Sequence, residues 1–558
     1  MELVEISIRK LNVNYFWKFY KAYKFGLVVF LIILLAFVLR VYKLGEIPAS
    51  LNPDEAALGY TSFSLLKTGA DEHGKFLPLS IQSFGDWKLP LYPYLGVIPV
   101  ALFGLNEFSV RFISVLSGVI GVLLIYFISF KLFAKKTIAL ISSLFFAISP
   151  WSIYFSRAAY EVNLATTIFL GGILAFLKYI YGDQKNTKWL SASLVLFTLT
   201  MFTYHSYVLF IPVFVSVLIA FFAKPIFKNK MAYISVLIFI VLSLAAIFSA
   251  SSGNNKLSTL IINDKNVIYE RVEKLRGDNA FKNPLIEKIL LNKYFGVSYQ
   301  ITQNYVNSFS PSFLFDKGGE KLVHNIGAFG NLYLMDAIFL FAGFAGLFWN
   351  KEKSLKFLAI WLFVAPISSA ITKDAPNSTR LFVLMPFFTI VSSYGVYQIF
   401  SFLKKKIFIN FVVKVTLVSF FLFNIAYFLN IYFVHFNTQR IRFWHYGYRE
   451  AVKLTEKYPT YNVVMRGPEN FPYVYFLFYE KYDPLQFRKE VTYYPPTSEG
   501  FYYVKSFGRY QFVNKIDYSS LTGLNRNTIY IDDMRLDDKD HSIFLPSGEP
   551  VLGYFIAK

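Results

Sequence analysis

The sequence contains no cysteine and few charged residues. The absence of cysteine from 558 residues excludes disulfide bonds, a thiol nucleophile and a thiolate metal site. Charged side chains make up 16% of the chain, against about 25% in soluble domains. Because 55% of the residues are hydrophobic, the chain is too apolar to be a soluble protein. No glycine-rich phosphate loop is present, which argues against ATP-driven transport.

Apolar and aromatic sequence is abundant, with 63 Phe and 40 Tyr, side chains that suit lipid and its interfaces. A helix needs roughly 17–25 residues to cross the hydrocarbon layer. Eleven apolar runs are predicted as spans, at residues 25–42, 108–131, 137–155, 162–181, 188–204, 206–223, 231–250, 332–349, 355–372, 380–402 and 407–434. No small-residue cleavage site follows the first run, which predicts an uncleaved signal anchor.

The placement of Lys and Arg predicts how the spans are oriented. With a cytoplasmic N-terminus, the three short outside loops hold Arg157, Lys373 and Arg380. The inside loops then hold Lys131, Lys135, Lys136, Lys185, Lys188, Lys224, Lys228, Lys230, Lys351, Lys353, Lys356, Lys404, Lys405 and Lys406. The formal charge of +21 is therefore a topology signal and does not indicate nucleic-acid binding.

The apolar segment at residues 89–104 tests this topology. It contains Pro90, Pro93 and Pro99, which would leave backbone groups unsatisfied in lipid. Counting it as a span would also move the later lysines to the outside. We therefore expect a helix that lies in the membrane interface.

The predicted organisation is a cytoplasmic terminus at residues 1–24, a transmembrane domain at 25–434 and an extracytoplasmic domain at 435–558. Within the transmembrane domain, residues 43–107 and 251–331 form large outer loops. The tail alternates helix-like and strand-like patterns, with "YREAVKLTEKY" followed by "YNVVMRG" and later by "NTIYIDD". This alternation predicts a small α/β domain.

The first outer loop contains a helix start with two adjacent carboxylates. Asn52 can cap the helix, Pro53 suits its first position, and Asp54 and Glu55 fall in the first turn. Carboxylates at that position also stabilise a helix without further function, by about 0.3–1 kcal/mol each. Tyr60 follows on an apolar face suited to the membrane surface.

An ordered set of motifs resembles the GT-C glycosyltransferases that use polyprenyl-phosphate sugars, a group that includes the protein O-mannosyltransferases and the aminoarabinose transferases of lipid A. The motifs are "PDEAALGYTSFSLLKTGADEHGKFLPL", "DWKLPLYPYL", "LFGLNEFSVRF", "SPWSIYFSRAAYEVN", "TYHSYVLFIP", "APNSTRLFVLMP" and, in the tail, "YFLFYEKYDPLQF". The resemblance covers roughly the first 215 residues well, and later residues in scattered matches. It implies an all-α polytopic membrane protein of GT-C type with about eleven transmembrane helices, interfacial helices and a small C-terminal α/β extracytoplasmic domain.

The resemblance also implies roles for residues of the first loop. Asp54 matches the acidic position that acts as general base on the acceptor, and Glu55 is the alternative or its orienting partner. Lys88 matches the lysine that holds the donor phosphate, although this chain reads Lys88-Leu89-Pro90 where the family has a direct Lys-Pro pair. Snorkelling of Lys88 to lipid headgroups is the structural alternative.

Further candidate residues lie at the predicted outer ends of spans, where polar groups are functional candidates. Glu161 resembles a second acidic position for metal or acceptor, with pairing to Arg157 as the structural alternative. Arg380 is a candidate for phosphate or sugar. The remaining substrate-binding candidates are His205, Tyr60 and Asp86, the last also as an ion-pair partner of Lys88.

These observations predict an enzyme of the plasma membrane that transfers a sugar, mannose-like or another hexose or pentose, from a polyprenyl-phosphate donor to an acceptor hydroxyl outside the cell. The acceptor is a glycan, a lipid or a protein. No cofactor is required by the sequence, and a divalent metal is left open, with the turn Asp71-Glu72-His73 as a weaker candidate site. The alternatives are a transporter or flippase, a non-catalytic GT-C relative, and a glycan polymerase or ligase of another fold.

Overall fold

The computed structural model describes residues 25–84, 86–182, 186–227, 229–251, 262, 265–278, 285, 289, 291–403, 407–497, 500–516, 526–533 and 541–557. Before the C-terminal region this part of the chain is helical apart from one short hairpin. The helices of four or more residues are Phe25–Val41, Pro53–Thr68, Leu91–Phe103, Glu107–Phe133, Lys136–Ile148, Pro150–Ser156, Glu161–Ile180, Lys188–Met201, His205–Phe221, Ala223–Ile226, Lys230–Ser251, Lys265–Gly277, Lys293–Asn307, Leu334–Trp349, Leu355–Val364, Ile367–Ala370, Met385–Phe402, Ile407–Asn430 and Phe436–Gln439. Short π-helical or 3-10 turns lie at Ser312–Asp316, Leu322–His324, Phe382–Leu384, Ile431–His435 and Ile441–Trp444.

Each predicted span coincides with one helix or with a broken helix. Among the described residues, five helices are long and apolar enough to cross a membrane by length and composition, or six when a bent pair counts as one span. Six shorter apolar helices accompany them, so the count of eleven spans remains a prediction. The predicted split of the fifth and sixth runs is seen as separate helices, Lys188–Met201 and His205–Phe221.

The third predicted span is not one straight helix. Its helices Lys136–Ile148 and Pro150–Ser156 meet at an angle of 55°. Pro150 has no N–H to continue the first helix. The hydroxyl of Ser149 accepts from the N–H of Ser152 at 3.5 Å and begins the second helix.

Two helices of the first loop pack against each other and against the helix Glu107–Phe133. The first-loop helix, Pro53–Thr68, begins with a capping box in which Asn52 and Glu55 satisfy each other's backbone N–H groups. The helix Leu91–Phe103 occupies the segment predicted as interfacial. Between them, Ile81–Ser83 pairs antiparallel with Asp86–Lys88.

The C-terminal region forms a seven-stranded mixed sheet, which confirms the predicted combination of helices and strands. Its central strand Asn462–Arg466 runs parallel to both neighbours, Tyr510–Val513 and Thr528–Asp532. The remaining strands are Thr492–Tyr493, Val504–Phe507, Ser542–Phe544 and Pro550–Ala557, all in antiparallel pairs. The helices of this region are Tyr448–Glu456, Tyr473–Tyr479 and Pro484–Glu490, with a 3-10 turn at Pro468–Asn470.

The C-terminal sheet region is bound to the first loop by buried hydrogen bonds. Tyr475 donates its hydroxyl to the carbonyl of Leu51 at 3.1 Å, and Tyr60 donates to the carbonyl of Tyr482 at 3.0 Å. One hydrophobic core contains side chains of both regions, including Tyr60 and Phe476. The first-loop helix is thereby held between the helical bundle and the C-terminal sheet.

Candidate active site

A cavity of about 590 Å³ lies where the first loop, the connections between helices and the C-terminal region meet. Its walls come from segments that were predicted to share one side of the membrane. The polar side chains that line it are Asn52, Asp54, Trp87, Lys88, Tyr160, Glu161, Thr203, Tyr204, His205, Ser206, Lys321, His324, Ser368, Thr372, Asn377, Thr379, Arg380, His445, Glu469 and Asn470. Acidic, basic and imidazole groups far apart in the sequence therefore share one space.

Asp54 and Lys88 form an ion pair in this cavity, through Oδ1 and Nζ. The side chain of Asp54 is 55% exposed, whereas that of Lys88 is 7% exposed. Asp54 projects from the first turn of the first-loop helix, and Lys88 ends the second strand of the hairpin. The carboxylate is thus open to the cavity, while the ammonium group is held in its wall.

Glu55 points away from the cavity, although it is adjacent to Asp54. Its carboxylate accepts from Nε and Nη2 of Arg111 at 3.0 and 3.1 Å, and from the N–H of Ala159 at 2.7 Å. Both charged side chains are buried. Arg111 also donates to the carbonyls of Pro48 and Ser50 at 2.8 and 2.6 Å. The sequence paired Glu55 with the chemistry of Asp54, but the contacts of Glu55 join the loop to the bundle.

Arg380 belongs to a charged group on another wall of the cavity. It bonds Asp374 through Nη1 and donates to the hydroxyl of Thr372 at 3.0 Å. Asp374 also pairs with Lys321 at 3.2 Å. Burial alone would raise the pKa of Asp374, but the nearby cations Arg380 and Lys321 outweigh burial and lower the pKa to about 2. The pair of cations thus shares one ionised carboxylate.

The other predicted residues are divided between the cavity and its surroundings. Glu161 begins the helix Glu161–Ile180 and lines the cavity, as does His205, which donates from Nε2 to the carbonyl of Trp87 at 2.8 Å. Arg157, the suggested partner of Glu161, is fully buried and donates to the carbonyls of Arg40 and Ile47.

Tyr60 does not line the cavity. Its hydroxyl bonds the C-terminal region, and burial raises its pKa far above the usual range. The backbone of Asp86 lies in the hairpin strand, but its side chain is outside the described part of the structure.

Five charged or imidazole groups associated with the cavity were not predicted from the sequence. Burial lowers the pKa of His324 to about 4, with Lys321 acting in the same direction, and burial lowers the pKa of His445 to about 4. Both imidazoles are therefore neutral at pH 7. Lys321 and Glu469 complete the lining, and Asp374 stands behind the cations. Asp374 could have been identified from the sequence, because it lies six residues before Arg380 in the same loop.

The sequence also suggested a metal site at Asp71-Glu72-His73. Among the described residues, no three His, Asp or Glu side chains are grouped so that they could hold a metal ion. Asp71 instead accepts from the N–H groups of His73 and Lys75 at 3.1 and 2.8 Å, and Glu72 accepts from the hydroxyl of Thr61 at 2.8 Å. The segment is a turn closed by its own hydrogen bonds.

This combination of helical bundle, first-loop helix and C-terminal sheet is a GT-C fold. ArnT from Cupriavidus metallidurans, solved bound to undecaprenyl phosphate, superposes with a TM-score of 0.51 over 94% of this chain and 97% of that protein, at 11% identity. This likeness shows a shared fold. The archaeal oligosaccharyltransferase AglB from Archaeoglobus fulgidus aligns with a TM-score of 0.45 and 14% identity, over 82% of this chain and 63% of AglB.

The sequence itself matches the family described as dolichyl-phosphate-mannose-protein mannosyltransferase over residues 88–248. An uncharacterised protein of Aquifex aeolicus (strain VF5) is 32% identical over 171 residues, which are 30% of this chain, and the chain spans 38% of that relative. The predicted resemblance to the GT-C glycosyltransferases with polyprenyl-phosphate donors is confirmed.

Proposed function

We propose that the protein is a membrane glycosyltransferase that moves a sugar from a polyprenyl-phosphate donor to an acceptor hydroxyl. The reaction takes place in the cavity, on the extracytoplasmic side of the membrane. The observation that carries the proposal is the meeting of an exposed carboxylate, Asp54, with the cations Lys88, Arg380 and Lys321 in one cavity. These are the two charges that displacement of a lipid phosphate by a hydroxyl requires.

Asp54 acts as the general base in this reaction. It accepts the proton of the acceptor hydroxyl while the acceptor oxygen forms a bond to the anomeric carbon of the sugar. The bond from that carbon to the phosphate oxygen breaks, and the bonding electrons leave with the lipid phosphate. A single displacement of this kind inverts the anomeric configuration, and a positioned base contributes typically about 10²–10⁴-fold.

The cations stabilise the leaving phosphate. Negative charge grows on the phosphate as the bond breaks, and cations fixed at that position stabilise it more strongly in a site that excludes water. Lys88 is suited to this because its side chain is almost buried. Arg380 offers a planar fork of donors, held by Asp374 and Thr372.

The pairing of Lys88 with Asp54 connects donor binding to the base. A donor phosphate carries negative charge and competes with Asp54 for the Lys88 ammonium. When Lys88 turns to the phosphate, Asp54 loses that contact and can accept a proton. The neutral His324 and His445 add no charge that would compete for the phosphate.

The test is transfer of sugar from defined undecaprenyl-phosphate sugars in purified membranes, by wild type and by Asp54→Asn. We expect the variant to lose about 10²–10⁴-fold in rate while it still binds undecaprenyl phosphate. Asp316→Asn is the matched control, since Asp316 is exposed and lies outside the cavity, and its rate should equal that of wild type. Unchanged transfer by Asp54→Asn would remove Asp54 from the role of base.

A further inference from the structure

One wall of the cavity has no role in the chemistry proposed above. It is built by the C-terminal region, which contributes Glu469, Asn470 and Phe471 from a single turn, together with Phe501. Glu469 is exposed and Asn470 is half-buried. The wall therefore offers one carboxylate, one amide and apolar ring faces to whatever occupies the cavity.

The turn has an unusual backbone and packs on the hairpin. Gly467 and Phe471, at its two ends, both have left-handed backbones, with φ of 83° and 54°. Non-glycine residues with a left-handed backbone are uncommon. They persist where the surrounding structure imposes that conformation, often at ligand sites. The ring of Phe471 stacks on Phe84 with centroids 4.4 Å apart, and Phe84 is itself left-handed at φ 51°.

Phe84 links this wall to the phosphate-binding side of the cavity. It lies at the turn of the hairpin in which Ile81 pairs with Lys88 and Ser83 pairs with Asp86. At about 3.3 Å per residue along a strand, the backbones of Phe84 and Lys88 are separated by about the span of one sugar phosphate. Because the donor sugar is bonded directly to the phosphate, a phosphate on Lys88 leaves that sugar within reach of the turn that contains Phe471.

The chemistry of the wall suits a hexose ring. Hydroxyl groups hydrogen bond well to a carboxylate and an amide, and a charged acceptor such as Glu469 gives the stronger bonds. The accessible parts of the half-buried Phe471 and Phe501 rings can cover the apolar face of the sugar. A lipid phosphate without a sugar has no sugar hydroxyl groups to bond with Glu469 and Asn470.

We propose that the turn Pro468–Asn470, with Phe471, recognises the sugar of the donor, and that Glu469 and Asn470 select it through its hydroxyl groups. This proposal rests on the proposed function, and it assigns a specificity role to the C-terminal region. The sugar is thereby held between the hairpin and the C-terminal sheet, next to Asp54.

The test compares the binding of a lipid with and without its sugar. We measure the Kd of undecaprenyl phosphate and of undecaprenyl-phosphate-linked mannose, glucose and galactose for the purified full-length protein, wild type and Glu469→Ala. The variant should lose about 10-fold or more in affinity for the sugar-bearing donor that wild type prefers, and its Kd for undecaprenyl phosphate should not change. The differences in Kd among the three sugar-bearing lipids should also be smaller in the variant than in wild type.

Glu456→Ala is the matched control, because Glu456 is an exposed carboxylate of the same region outside the cavity. Equal losses for all four lipids, or no loss for any, would overturn the proposal while leaving the proposed function intact. A change confined to the KM of an acceptor would also overturn it. Wild-type protein that binds none of the four lipids would refute the proposed function and this proposal with it.

Discussion

Asp54 and Glu55 are neighbours in the chain, yet they belong to two regions of opposite character. Asp54 faces the cavity, where charged groups share partners and remain partly exposed. Glu55 lies beside a cluster of three buried arginines, Arg40, Arg111 and Arg157, each fully shielded from solvent. Two carboxylates one residue apart on a helix point in different directions because the helix turns about 100° per residue.

Arg111 and Arg157 differ from Asp54 in how completely their polar atoms are used in hydrogen bonds within the protein. Arg111 donates to both oxygens of Glu55 and to three backbone carbonyls, and Arg157 donates to four carbonyls and to the hydroxyl of Tyr432. In the cavity, the exposed oxygens of Asp54 still have room for a ligand. The hydrogen bonds of Glu55, Arg111 and Arg157 join the loop to the bundle, whereas the carboxylate of Asp54 is accessible from the cavity.

Removing the charge of Glu55 should have the largest effect on stability. It is the most direct test of whether the buried charges differ from those of the cavity. Glu55→Gln leaves Arg111 buried without its anion, which costs about 3–5 kcal/mol. We expect a lower thermal unfolding midpoint and less protein in the membrane. The measurement is thermal unfolding of the protein purified in detergent.

The matched control for that experiment is Glu46→Gln, in the same loop. Its pair with Lys43 spans 3.8 Å and the Glu46 side chain is 70% exposed, so its loss should cost at most about 1 kcal/mol. Equal stability of the two variants would mean that the Glu55–Arg111 pair does not hold the loop.

An intermediate effect is expected in the cavity. Removing a cation there should weaken ligand binding and leave the fold intact. Lys88→Met keeps most of the length of the side chain and removes its charge. Loss of a hydrogen bond to a charged group costs about 1.5–3 kcal/mol, which corresponds to a Kd for undecaprenyl phosphate about 10–150-fold weaker. Titration of the purified variant with that lipid measures the change.

Lys75→Met provides the comparison for Lys88, because Lys75 is an exposed lysine of the same loop outside the cavity. It should bind undecaprenyl phosphate as wild type does. If Lys88→Met also keeps the wild-type Kd, the phosphate does not bind at Lys88.

The parts of the fold that were predicted from sequence are those with a local pattern. Apolar runs marked the helices, and alternating residues marked the strands of the tail. The helix Leu91–Phe103 was expected, and its place in the membrane interface remains a prediction. The bend between the helices that meet at Ser149-Pro150 was not predicted. A run of apolar residues does not show where a helix breaks inside a buried environment.

The candidate site was predicted in part, for the same physical reason. Asp54, Lys88, Glu161, His205 and Arg380 stand in short motifs, and all five line one cavity. Their chemical roles remain predictions. Other groups, Lys321, His324, His445 and Glu469, reach the cavity through long-range packing, which leaves no repeated spacing in the sequence.

The different directions of Asp54 and Glu55 also had no sequence signal. Both residue types suit the first turn of a helix, and the difference depends on where the helix Glu107–Phe133 places Arg111. A residue 56 positions away therefore decides which carboxylate is buried.

Glu72 provides an intermediate case between the two regions, and the pH dependence of its contribution to stability sharpens the comparison. It is buried like Glu55, but its side-chain hydrogen bond comes from the neutral hydroxyl of Thr61 at 2.8 Å. Burial raises the pKa of Glu72 to about 8, and the charge of Asp71 acts in the same direction. The ordinary value in an unfolded chain is about 4.3, so the folded protein holds this proton more tightly than the unfolded chain.

Stability from the protonated Glu72 is therefore complete below about pH 4, falls as the pH rises, and is lost once the pH passes about 8. Each unit of pKa difference corresponds to about 1.4 kcal/mol. Unfolding midpoints measured from pH 5 to pH 8.5 should fall more steeply in wild type than in Glu72→Gln, which keeps the neutral form at every pH. Glu549→Gln, an exposed carboxylate of the C-terminal region, should follow the wild-type slope. Parallel slopes for wild type and Glu72→Gln would mean that Glu72 is ionised in the folded protein, and that a buried carboxylate here needs no arginine partner to carry its charge.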